Sequence, residues 1–317
     1  MGPVTDGILL IDKGIGETSH SVVKKIRTVF RRYQRKLKVG HAGTLDPFAT
    51  GLLIVLVGQG TKLAPFIVPG EKVYLATLEL GVETDTLDLT GKVVAANEVP
   101  DVNLQTVREK AAQFVGTSYQ VPPAYSAVRY KGKRAYQLAR KGLPVHLEGR
   151  KITVHSLQIL SLDVPQITMR IRCSSGTYVR RLASDLGNAL GPGGHLRSLR
   201  RIKIGPFDVK DAISSEEIGT SVQKQALSER VIPMREAIPS MKEVTVQEAF
   251  AEKVQRGYQP LWEELTDVCD GRSDIRPDLP DGRIKLVSGN RLIAILNVGP
   301  EDGKGHGRVK IERVFSS

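Results

Sequence analysis

A single carboxylate, Asp46, stands in a run of glycines, small residues and a proline that directly precedes an apolar segment. The run reads G-H-A-G-T-L-D-P-F-A-T-G over residues 40–51, and the apolar segment follows at 52–57. Glycine and proline are typical of tight loops, so an acid in this run would be held in one place. An isolated carboxylate can act as a nucleophile, as a general base or as the stabiliser of a cation. The alternative is that Asp46 only caps the turn before Pro47, which is a common use of aspartate.

The spacing of histidine and cysteine does not indicate metal chemistry. Cys173 and Cys269 lie far apart in unlike contexts, and His41 is separated from Asp46 by a glycine-containing stretch. None of these spacings is that of a metal site or a disulfide framework. The run G-Q-G-T-K at 58–62 also lacks the spacing of a phosphate-binding loop. We therefore expect no metal and no nucleotide cofactor.

The charge of the chain favours a polyanionic partner. Its 317 residues include 46 Lys and Arg against 34 Asp and Glu, a formal net charge of +12. Such an excess promotes binding to nucleic acid through counterion release, although it could also serve solubility alone. The basic residues form three groups, which favours the first reading. The groups are Lys24, Lys25, Arg27, Arg31, Arg32, Arg35, Lys36 and Lys38; Arg129, Lys131, Lys133, Arg134, Arg140 and Lys141; and Arg197, Arg200, Arg201 and Lys203.

Several strands and helices must position these residues, and they follow one another without regular alternation. Strands are predicted at 7–11, 52–58, 73–80 and 167–173; helices are predicted after a cap at Thr18 or Ser19, over 103–116 and from near Gly176. In the helix over 103–116 the residues expected to face inward are Leu104, Val107, Ala111 and Phe114. This mixture predicts an α+β fold with a mixed, largely antiparallel central sheet and flanking helices.

A second, smaller domain is predicted after a break near 238–243. Short β-rich pieces at 283–287, 292–298 and 308–315 are separated by glycine-rich turns such as 303–307. We therefore divide the chain into residues 1–240 and a β-rich domain over 241–317, which is large enough to hold its own core. Residues 262–281 are mostly acidic, with prolines and glycines, and are predicted to form a solvated loop or insertion that does not touch phosphate.

The sequence has no apolar leader segment and no run of membrane-spanning length. Both features would be expected in a secreted or membrane-anchored chain. We therefore expect a soluble protein of the cytoplasm that does not bind a membrane, and a monomer.

Six blocks, in order along the chain, resemble the TruB-type tRNA pseudouridine synthases. The loop at 40–51 resembles the family signature. The other blocks are D-G-I-L-L-I-D-K at 6–13, K-V-Y-L-A-T-L-E-L-G with T-D-T-L-D-L-T-G at 72–91, V-P-P-A-Y-S-A-V-R at 121–129, C-S-S-G-T-Y-V-R-R-L at 173–182 and L-R-S-L-R-R at 196–201. The ending R-V-F at 313–315 also resembles the close of the family's small C-terminal RNA-binding domain of PUA type. The resemblance therefore covers most of the chain and implies the pseudouridine synthase fold.

The resemblance implies a role for each of several residues. Asp46 would be the catalytic aspartate, Arg180 its counter-ion, and Tyr74 the tyrosine that stacks on the target base and takes part in proton transfer. The residues that would contact the substrate are His41, Lys13, Tyr178 and Leu199. For Tyr74, Tyr178 and Leu199 the alternative is an ordinary core position, and for Lys13 it is a structural role.

The implied activity is conversion of uridine 55 in the T loop of tRNA to pseudouridine, with the base flipped out of the RNA. The partner would be the T arm of tRNA, and no guide RNA, metal or nucleotide would be needed. Two alternatives stay open on sequence alone. One is the guide-dependent relative that modifies ribosomal RNA, and the other is an RNA-binding module without catalysis.

Overall fold

The computed structural model describes residues 6–31, 37–219, 224–268, 282–300 and 307–316. Within these ranges the strands are β1 Gly7–Lys13, β2 Val39–Ala42, β3 Thr50–Val57, β4 Lys72–Leu80, β5 Val82–Thr84, β6 Val93–Ala96, β7 Gly116–Gln120, β8 Arg129–Tyr130, β9 Lys133–Arg134, β10 Arg150–Asp163, β11 Gln166–Cys173, β12 Gly194–Ile204, β13 Phe207–Asp208, β14 Ile213–Ser214, β15 Ile232–Pro233, β16 Lys242–Thr245, β17 Arg283–Ser288, β18 Arg291–Pro300 and β19 Gly307–Val314. The helices are α1 Ser19–Arg31, α2 Ala64–Ile67, α3 Leu104–Ala112, α4 Ala135–Ala139, α5 Val179–Leu190, α6 Lys224–Glu229, α7 Glu248–Gln255 and α8 Trp262–Val268. Short 3-10 helices lie at Gly58–Leu63 and Val209–Asp211.

An eleven-stranded sheet forms the centre of the described structure. Its main order is β14-β1-β3-β12-β4-β11-β10-β7, with β2, β13 and β15 paired at its sides. Most neighbouring strands are antiparallel, and the parallel pairs are β1 with β14 and β3 with β12. The predicted α+β fold with a largely antiparallel sheet is therefore confirmed.

Helix α1 covers one part of this sheet because its apolar side chains fall on one face. Val22, Val23, Ile26 and Phe30 are buried against the apolar residues of β1 and β3. The helix is capped by Thr18, whose hydroxyl oxygen accepts a hydrogen bond of 2.9 Å from the amide of Ser21. Of the two residues predicted as caps, Thr18 therefore has this role.

Helix α3 is shorter than the predicted helix over 103–116. Asn103 caps its start by accepting a 2.9 Å hydrogen bond from the amide of Thr106, and the helix ends at Ala112. Gly116, with a φ of +119°, begins strand β7 instead of ending the helix. The prediction that Leu104 faces inward was wrong, because it lies in the exposed first turn, whereas Val107 and Ala111 are buried.

Strand β4 and helix α5 build the core that lies behind the proposed catalytic residues. The face of β4 that carries Tyr74, Ala76 and Leu78 packs in one cluster with Leu182 and Leu186 of α5. Helix α5 begins at Val179, not near Gly176, because Gly176 has a φ of +87° in the preceding loop. This shift puts Arg180 in the first turn of the helix.

A four-stranded sheet, in the order β16-β17-β18-β19, follows in the C-terminal part of the chain. Phe315 is fully buried in the same apolar cluster as Ile8 and Ile54 of the central sheet, so the two sheets share packed side chains. The segment 262–281 was predicted as a loop, which was wrong for Trp262–Val268, since these residues form α8 with Leu265 buried. Its remaining residues, together with Cys269 and most of the predicted turn at 303–307, lie outside the described ranges.

Candidate active site

The loop that carries Asp46 joins β2 to β3, and the local shape of the chain requires Gly43 in this loop and Gly51 at the start of β3. Gly43 has a φ of +96° and Gly51 a φ of +100°, a region that residues with a side chain rarely adopt. A Cβ on Gly51 would also lie 2.3 Å from the main-chain oxygen of Arg201 on the neighbouring strand β12. The glycines of the signature therefore let the loop turn and allow β3 to lie close to β12.

Polar contacts hold this loop at both of its flanks. The hydroxyl of Ser19, at the start of α1, accepts a 2.9 Å hydrogen bond from the amide of Leu45. On the other flank, the main-chain oxygen of Pro47 accepts hydrogen bonds from the amide of Gly16 at 2.8 Å and from Lys13 Nζ at 3.3 Å. The backbone around Asp46 is therefore fixed by residues of α1 and of the chain that precedes it.

Arg201 is a third anchor of the loop, and its guanidinium is buried. Its Nε donates to the oxygen of Leu52 at 2.8 Å, and its two terminal nitrogens donate to Thr44 at 3.3 Å and Gly43 at 3.1 Å. Arg201 belongs to the third basic group of the sequence, which served as evidence for a nucleic-acid partner. Its donors are used inside the protein, so Arg201 is not one of the surface charges of that group.

The carboxylate of Asp46 is paired with Arg180. Arg180 Nε lies 2.9 Å from Oδ2, at ion-pair distance but without the alignment of a hydrogen bond, and Nη2 donates to Oδ1 at 3.4 Å. The turn itself is closed by main-chain atoms, since the amide of Ala49 donates to the oxygen of Asp46 at 3.1 Å. The side chain of Asp46 therefore faces a cation, while its main chain forms the turn.

Arg180 has further partners that fix its direction. Nη1 donates to the oxygen of Thr86 and Nη2 to the oxygen of Tyr125, both at 2.9 Å. Nη1 also lies 3.4 Å from Oδ2 of the buried Asp88, whose Oδ1 accepts from the hydroxyls of two neighbouring threonines. The guanidinium therefore stands between two carboxylates and is held by two main-chain carbonyls.

The electrostatic environment of Asp46 has opposing effects on its pKa. Burial raises the pKa above the ordinary value of 3.8, with a smaller contribution from the negative charge of Asp88, and the positive charge of Arg180 opposes this rise. The side chain of Asp46 is still 35% exposed, whereas that of Arg180 is only 5% exposed. The acid can therefore be reached from the adjoining cavity, while its counter-ion cannot move away.

A cavity of about 260 Å³ opens beside this pair. Five of the predicted site residues line it: Asp46, Tyr74, Tyr178, Arg180 and Leu199. They come from the β2–β3 loop, strand β4, helix α5 with its cap, and strand β12, so distant parts of the sequence meet at one place. Its wall combines aromatic and apolar groups with hydroxyls and the charged side chains of Asp46, Lys72, Arg180 and Arg201. Placed polar groups of this kind fix the orientation of a bound ligand.

Tyr74 lies on β4 directly opposite Arg201 of β12, and its side chain is almost fully buried. Burial raises the pKa of its phenol above 10.0, and the neighbouring Arg201 guanidinium opposes this rise. The phenol is therefore protonated at neutral pH. In this state Tyr74 offers an aromatic face and a hydroxyl group rather than a phenolate.

His41 does not line this cavity but an adjoining one of about 470 Å³, whose wall also includes Asp46, Asp88 and Arg180. Burial, together with the positive charges of Arg201 and His20, lowers the pKa of His41 below 6.5, so its ring is neutral at neutral pH. Its Nδ1 is buried and has no hydrogen-bond partner among the described residues. The two cavities meet at Asp46.

Lys13, the remaining predicted contact, is buried at the end of β1. Besides Pro47, its Nζ donates to the oxygens of Gly14 at 2.9 Å and Glu17 at 2.8 Å. Burial lowers the pKa of Lys13 to about 8, against the opposing charges of Glu17 and Asp46. Lys13 therefore binds main-chain carbonyls behind the loop.

Asp88 and Arg201 were not recognised as site residues from the sequence. Asp88 lies in the quoted block at 72–91, but nothing in that block indicates that it would meet Arg180. A signal did exist for Arg201, because it lies two residues after Leu199 on β12 and so shares its inward face. An arginine on a buried face of a strand requires internal acceptors, and here they are loop carbonyls.

Within the described ranges, no group of three or more His, Cys, Asp or Glu side chains is arranged to hold a metal ion. In the same part of the chain, no helix is long and apolar enough to span a membrane.

Comparison with known proteins identifies the family of the chain. Residues 31–179 match the family model described as the N-terminal domain of the TruB family pseudouridylate synthases, and residues 180–239 match that of the tRNA pseudouridylate synthase B C-terminal domain. Proteins named tRNA pseudouridine synthase B are among its relatives. The one from Geobacter sulfurreducens is 44% identical, covering 82% of this chain and 84% of its own length. The one from Geotalea uraniireducens is 38% identical and covers 98% of both chains.

Solved structures are also similar. A chain of a Cbf5-Nop10-Gar1 complex has a TM-score of 0.71 and 22% identity, over 99% of this chain and 86% of that chain. A chain of an H/ACA RNP bound to a substrate RNA containing 2′-deoxyuridine has a TM-score of 0.70 and 21% identity, over the same shares. At these identities the likeness shows the fold alone.

The mixed sheet and the sequence matches together define a pseudouridylate synthase, an enzyme of the isomerase class. Both family models are of the TruB type, and the identity to the relatives extends over most of the chain. The chain belongs to the TruB family of pseudouridylate synthases.

Proposed function

We propose that this protein converts uridine to pseudouridine at position 55 in the T loop of tRNA, with Asp46 as the acting carboxylate and without guide RNA or cofactor. The observation that carries the proposal is the Asp46–Arg180 ion pair at the wall of a small, partly aromatic cavity. The cavity, at about 260 Å³, is slightly smaller than a typical site for a drug-sized ligand, which suits one nucleobase. The names of the curated relatives support tRNA as the substrate.

The reaction needs one carboxylate and little water. The bond between N1 of uracil and C1′ of ribose breaks, the base turns, and a bond forms between C5 and C1′. The proton on C5 is lost and N1 gains one, so the product is an isomer. The sugar carries positive charge as the first bond breaks, and a carboxylate stabilises that charge as it does in glycoside hydrolysis.

Arg180 keeps Asp46 ionised for this step. Burial alone favours the protonated acid, and the guanidinium favours the carboxylate. Asp46 then acts by one of two routes. It attacks C1′ to form a covalent intermediate, or it assists a path through a glycal after a proton leaves C2′. Both routes use the same placement of the carboxylate beneath the sugar.

The base must leave the RNA stack to reach the cavity. Unstacking a base costs a few kcal/mol, which contacts to the protein offset. Tyr74 provides an aromatic surface for the uracil, and Tyr178 and Leu199 form the remaining walls of the cavity. His41, neutral and in the wall of the second cavity, contacts the displaced RNA in this proposal. The exposed basic residues near 129–141 contribute attraction for phosphate.

The test is pseudouridine formation on an unmodified tRNA transcript. We expect purified protein alone to form one pseudouridine per tRNA, at position 55, and a transcript with cytidine at that position to remain unmodified. Activity that appears only after guide RNA and partner proteins are added would assign the chain to the guide-dependent branch.

Asp46→Asn separates catalysis from binding. The variant should form no detectable product and bind tRNA within a few fold of the wild-type Kd, because the amide keeps the shape of the side chain and loses its charge. Asp163→Asn, at the exposed end of β10, is the matched control and should behave as the wild type. Unchanged product from Asp46→Asn would remove this residue from the mechanism. Wild-type protein that binds tRNA and never modifies it would indicate an RNA-binding module.

A further inference from the structure

The last residue of β7, Gln120, holds the backbone of Tyr178 at the edge of the cavity. The amide of Tyr178 donates to Gln120 Oε1 at 2.8 Å, and Gln120 Nε2 donates to the oxygen of Tyr178 at 3.1 Å. Gln120 is buried, whereas the four preceding residues of β7 are exposed. Its side-chain amide therefore makes with Tyr178 the two hydrogen bonds that a neighbouring antiparallel strand would make.

Tyr178 is the residue at which this support is needed. It is the N-cap of α5, and its own side chain makes no capping hydrogen bond. Arg180 follows two residues later, in the first turn, so the direction of its side chain depends on where the helix begins. A helix start without a local cap is free to fray. Here, a side chain from another strand fixes the position of the cap residue.

Gln120 also connects two walls of the cavity. The segment that follows it contains Tyr125, whose carbonyl accepts a hydrogen bond from Arg180, and Ser126 and Ala127, which line the cavity. The loop before α5 contributes the opposite wall through Ser175 and Thr177. A shift between these two segments would change the distance between Arg180 and one of the carbonyls that orient it.

We propose that Gln120 is a positioning residue for catalysis, which acts by fixing the start of α5 so that Arg180 engages Asp46. This inference rests on the proposed function, because its consequence is a slower isomerisation. Gln120 is buried and lines neither cavity, so its two hydrogen bonds to Tyr178 are the route by which it would act. Loss of its two hydrogen bonds should reduce the chemical step by about 10–100-fold, as small displacements of catalytic groups do.

The test compares Gln120→Met with Gln158→Met. Methionine has a similar length and removes both hydrogen bonds, and Gln158 is an exposed glutamine on the neighbouring strand β10. The single-turnover rate at saturating tRNA, the Kd for tRNA and the unfolding temperature are measured for each. We expect Gln120→Met to lower the rate at least tenfold with Kd within about threefold, and Gln158→Met to match the wild type. If Gln120→Met does not fold, the test uses Gln120→Glu instead. Glutamate keeps the shape of the side chain but puts a carboxylate oxygen, an acceptor, next to the main-chain oxygen of Tyr178.

A double-mutant cycle with Arg180→Lys tests the route of the effect. If Gln120 acts through Arg180, its substitution should slow the Arg180→Lys enzyme much less than it slows the wild type. Equal fold losses in both backgrounds would overturn the proposal and leave Gln120 with a structural role only. The proposal would also be overturned if the wild type is active and Gln120→Met has the same single-turnover rate. An inactive wild type would instead overturn the proposed function.

Discussion

Arg180 and Asp46 stand 134 positions apart in the sequence, and Nε of the arginine lies 2.9 Å from Oδ2 of the aspartate. The guanidinium is bound independently by the carbonyls of Thr86 and Tyr125, so its position does not depend on the carboxylate. A cation that is already fixed loses little conformational freedom when the acid changes its charge or its partner. Asp46 can therefore turn toward a developing positive charge while the counter-ion stays in place.

The Asp46–Arg180 ion pair predicts how the pH dependence of activity changes when the arginine is removed. The pKa of Asp46 is raised above 3.8, and the proposed mechanism uses the ionised carboxylate, so activity should fall as the pH decreases through that raised pKa. In Arg180→Met the opposing positive charge is gone, so the acid limb of the single-turnover rate should move upward by about one pH unit or more. The pH profile of both proteins on a tRNA transcript measures this shift.

Arg181→Met is the control for that experiment. Arg181 follows in the same helix, but its Nε pairs with Asp185 at 2.8 Å. Its loss should leave the acid limb where it is in the wild type, whatever it does to tRNA affinity. An acid limb that stays unchanged in Arg180→Met would mean that Arg180 does not control the ionisation of Asp46.

Substitutions of Tyr74 distinguish its ring from its hydroxyl. Because burial raises the pKa of the phenol, we expect its aromatic face to contribute more than any phenolate. Tyr74→Phe should therefore keep considerably more of the single-turnover rate than Tyr74→Leu, in which stacking worth about 1–3 kcal/mol is lost. A Phe variant as inactive as the Leu variant would instead assign the hydroxyl to proton transfer from C2′.

Arg201→Lys should destabilise the protein far more than Arg200→Lys. Lysine keeps the charge of the buried Arg201 but cannot reach the carbonyls of Gly43, Thr44 and Leu52 together. Leaving buried acceptors unpaired should lower the free energy of unfolding by about 2–4 kcal/mol. The adjacent Arg200, which pairs with the partly exposed Asp12, should change it by less than about 1 kcal/mol. Urea unfolding of both variants measures the difference, and equal losses would contradict the anchoring role of Arg201.

Local patterns were enough to predict much of the fold. Tyr74, Ala76 and Leu78 occupy every second position of their segment. This spacing predicts a half-buried strand, because successive side chains in a strand point to opposite faces, and β4 is such a strand. Where local signals competed, prediction failed. Gly116 resembles a helix-ending glycine, yet it is the first residue of β7 and has a positive φ. Leu104 has the helical spacing of a core residue but lies in an exposed first turn.

The site was predictable only where a motif identified its residues. Asp46 was recognised because it lies in a glycine-rich loop, and Arg180 and Tyr74 were assigned by family resemblance. Gln120 acts through hydrogen bonds to main-chain atoms of a distant segment, for which a sequence has no periodic or compositional signal. The strand spacing of Arg201 indicates that it is buried, but not which loop carbonyls it binds. Such partners are determined by tertiary packing, so they became visible only once β7, β12 and the loop before α5 were placed together.

The second basic group can be tested for its part in RNA binding. Lys133 is exposed in the short hairpin of β8 and β9, which leads into α4 and so toward Tyr136 and Arg140 at the second cavity. Lys133→Glu should raise the Kd for tRNA several-fold and make binding less dependent on salt, since fewer counterions are released. The rate at saturating tRNA should not change. Arg108→Glu, at an exposed position of α3 that lines neither cavity, is the matched charge reversal. Equal increases in Kd for both variants would show that net charge, rather than this hairpin, determines affinity.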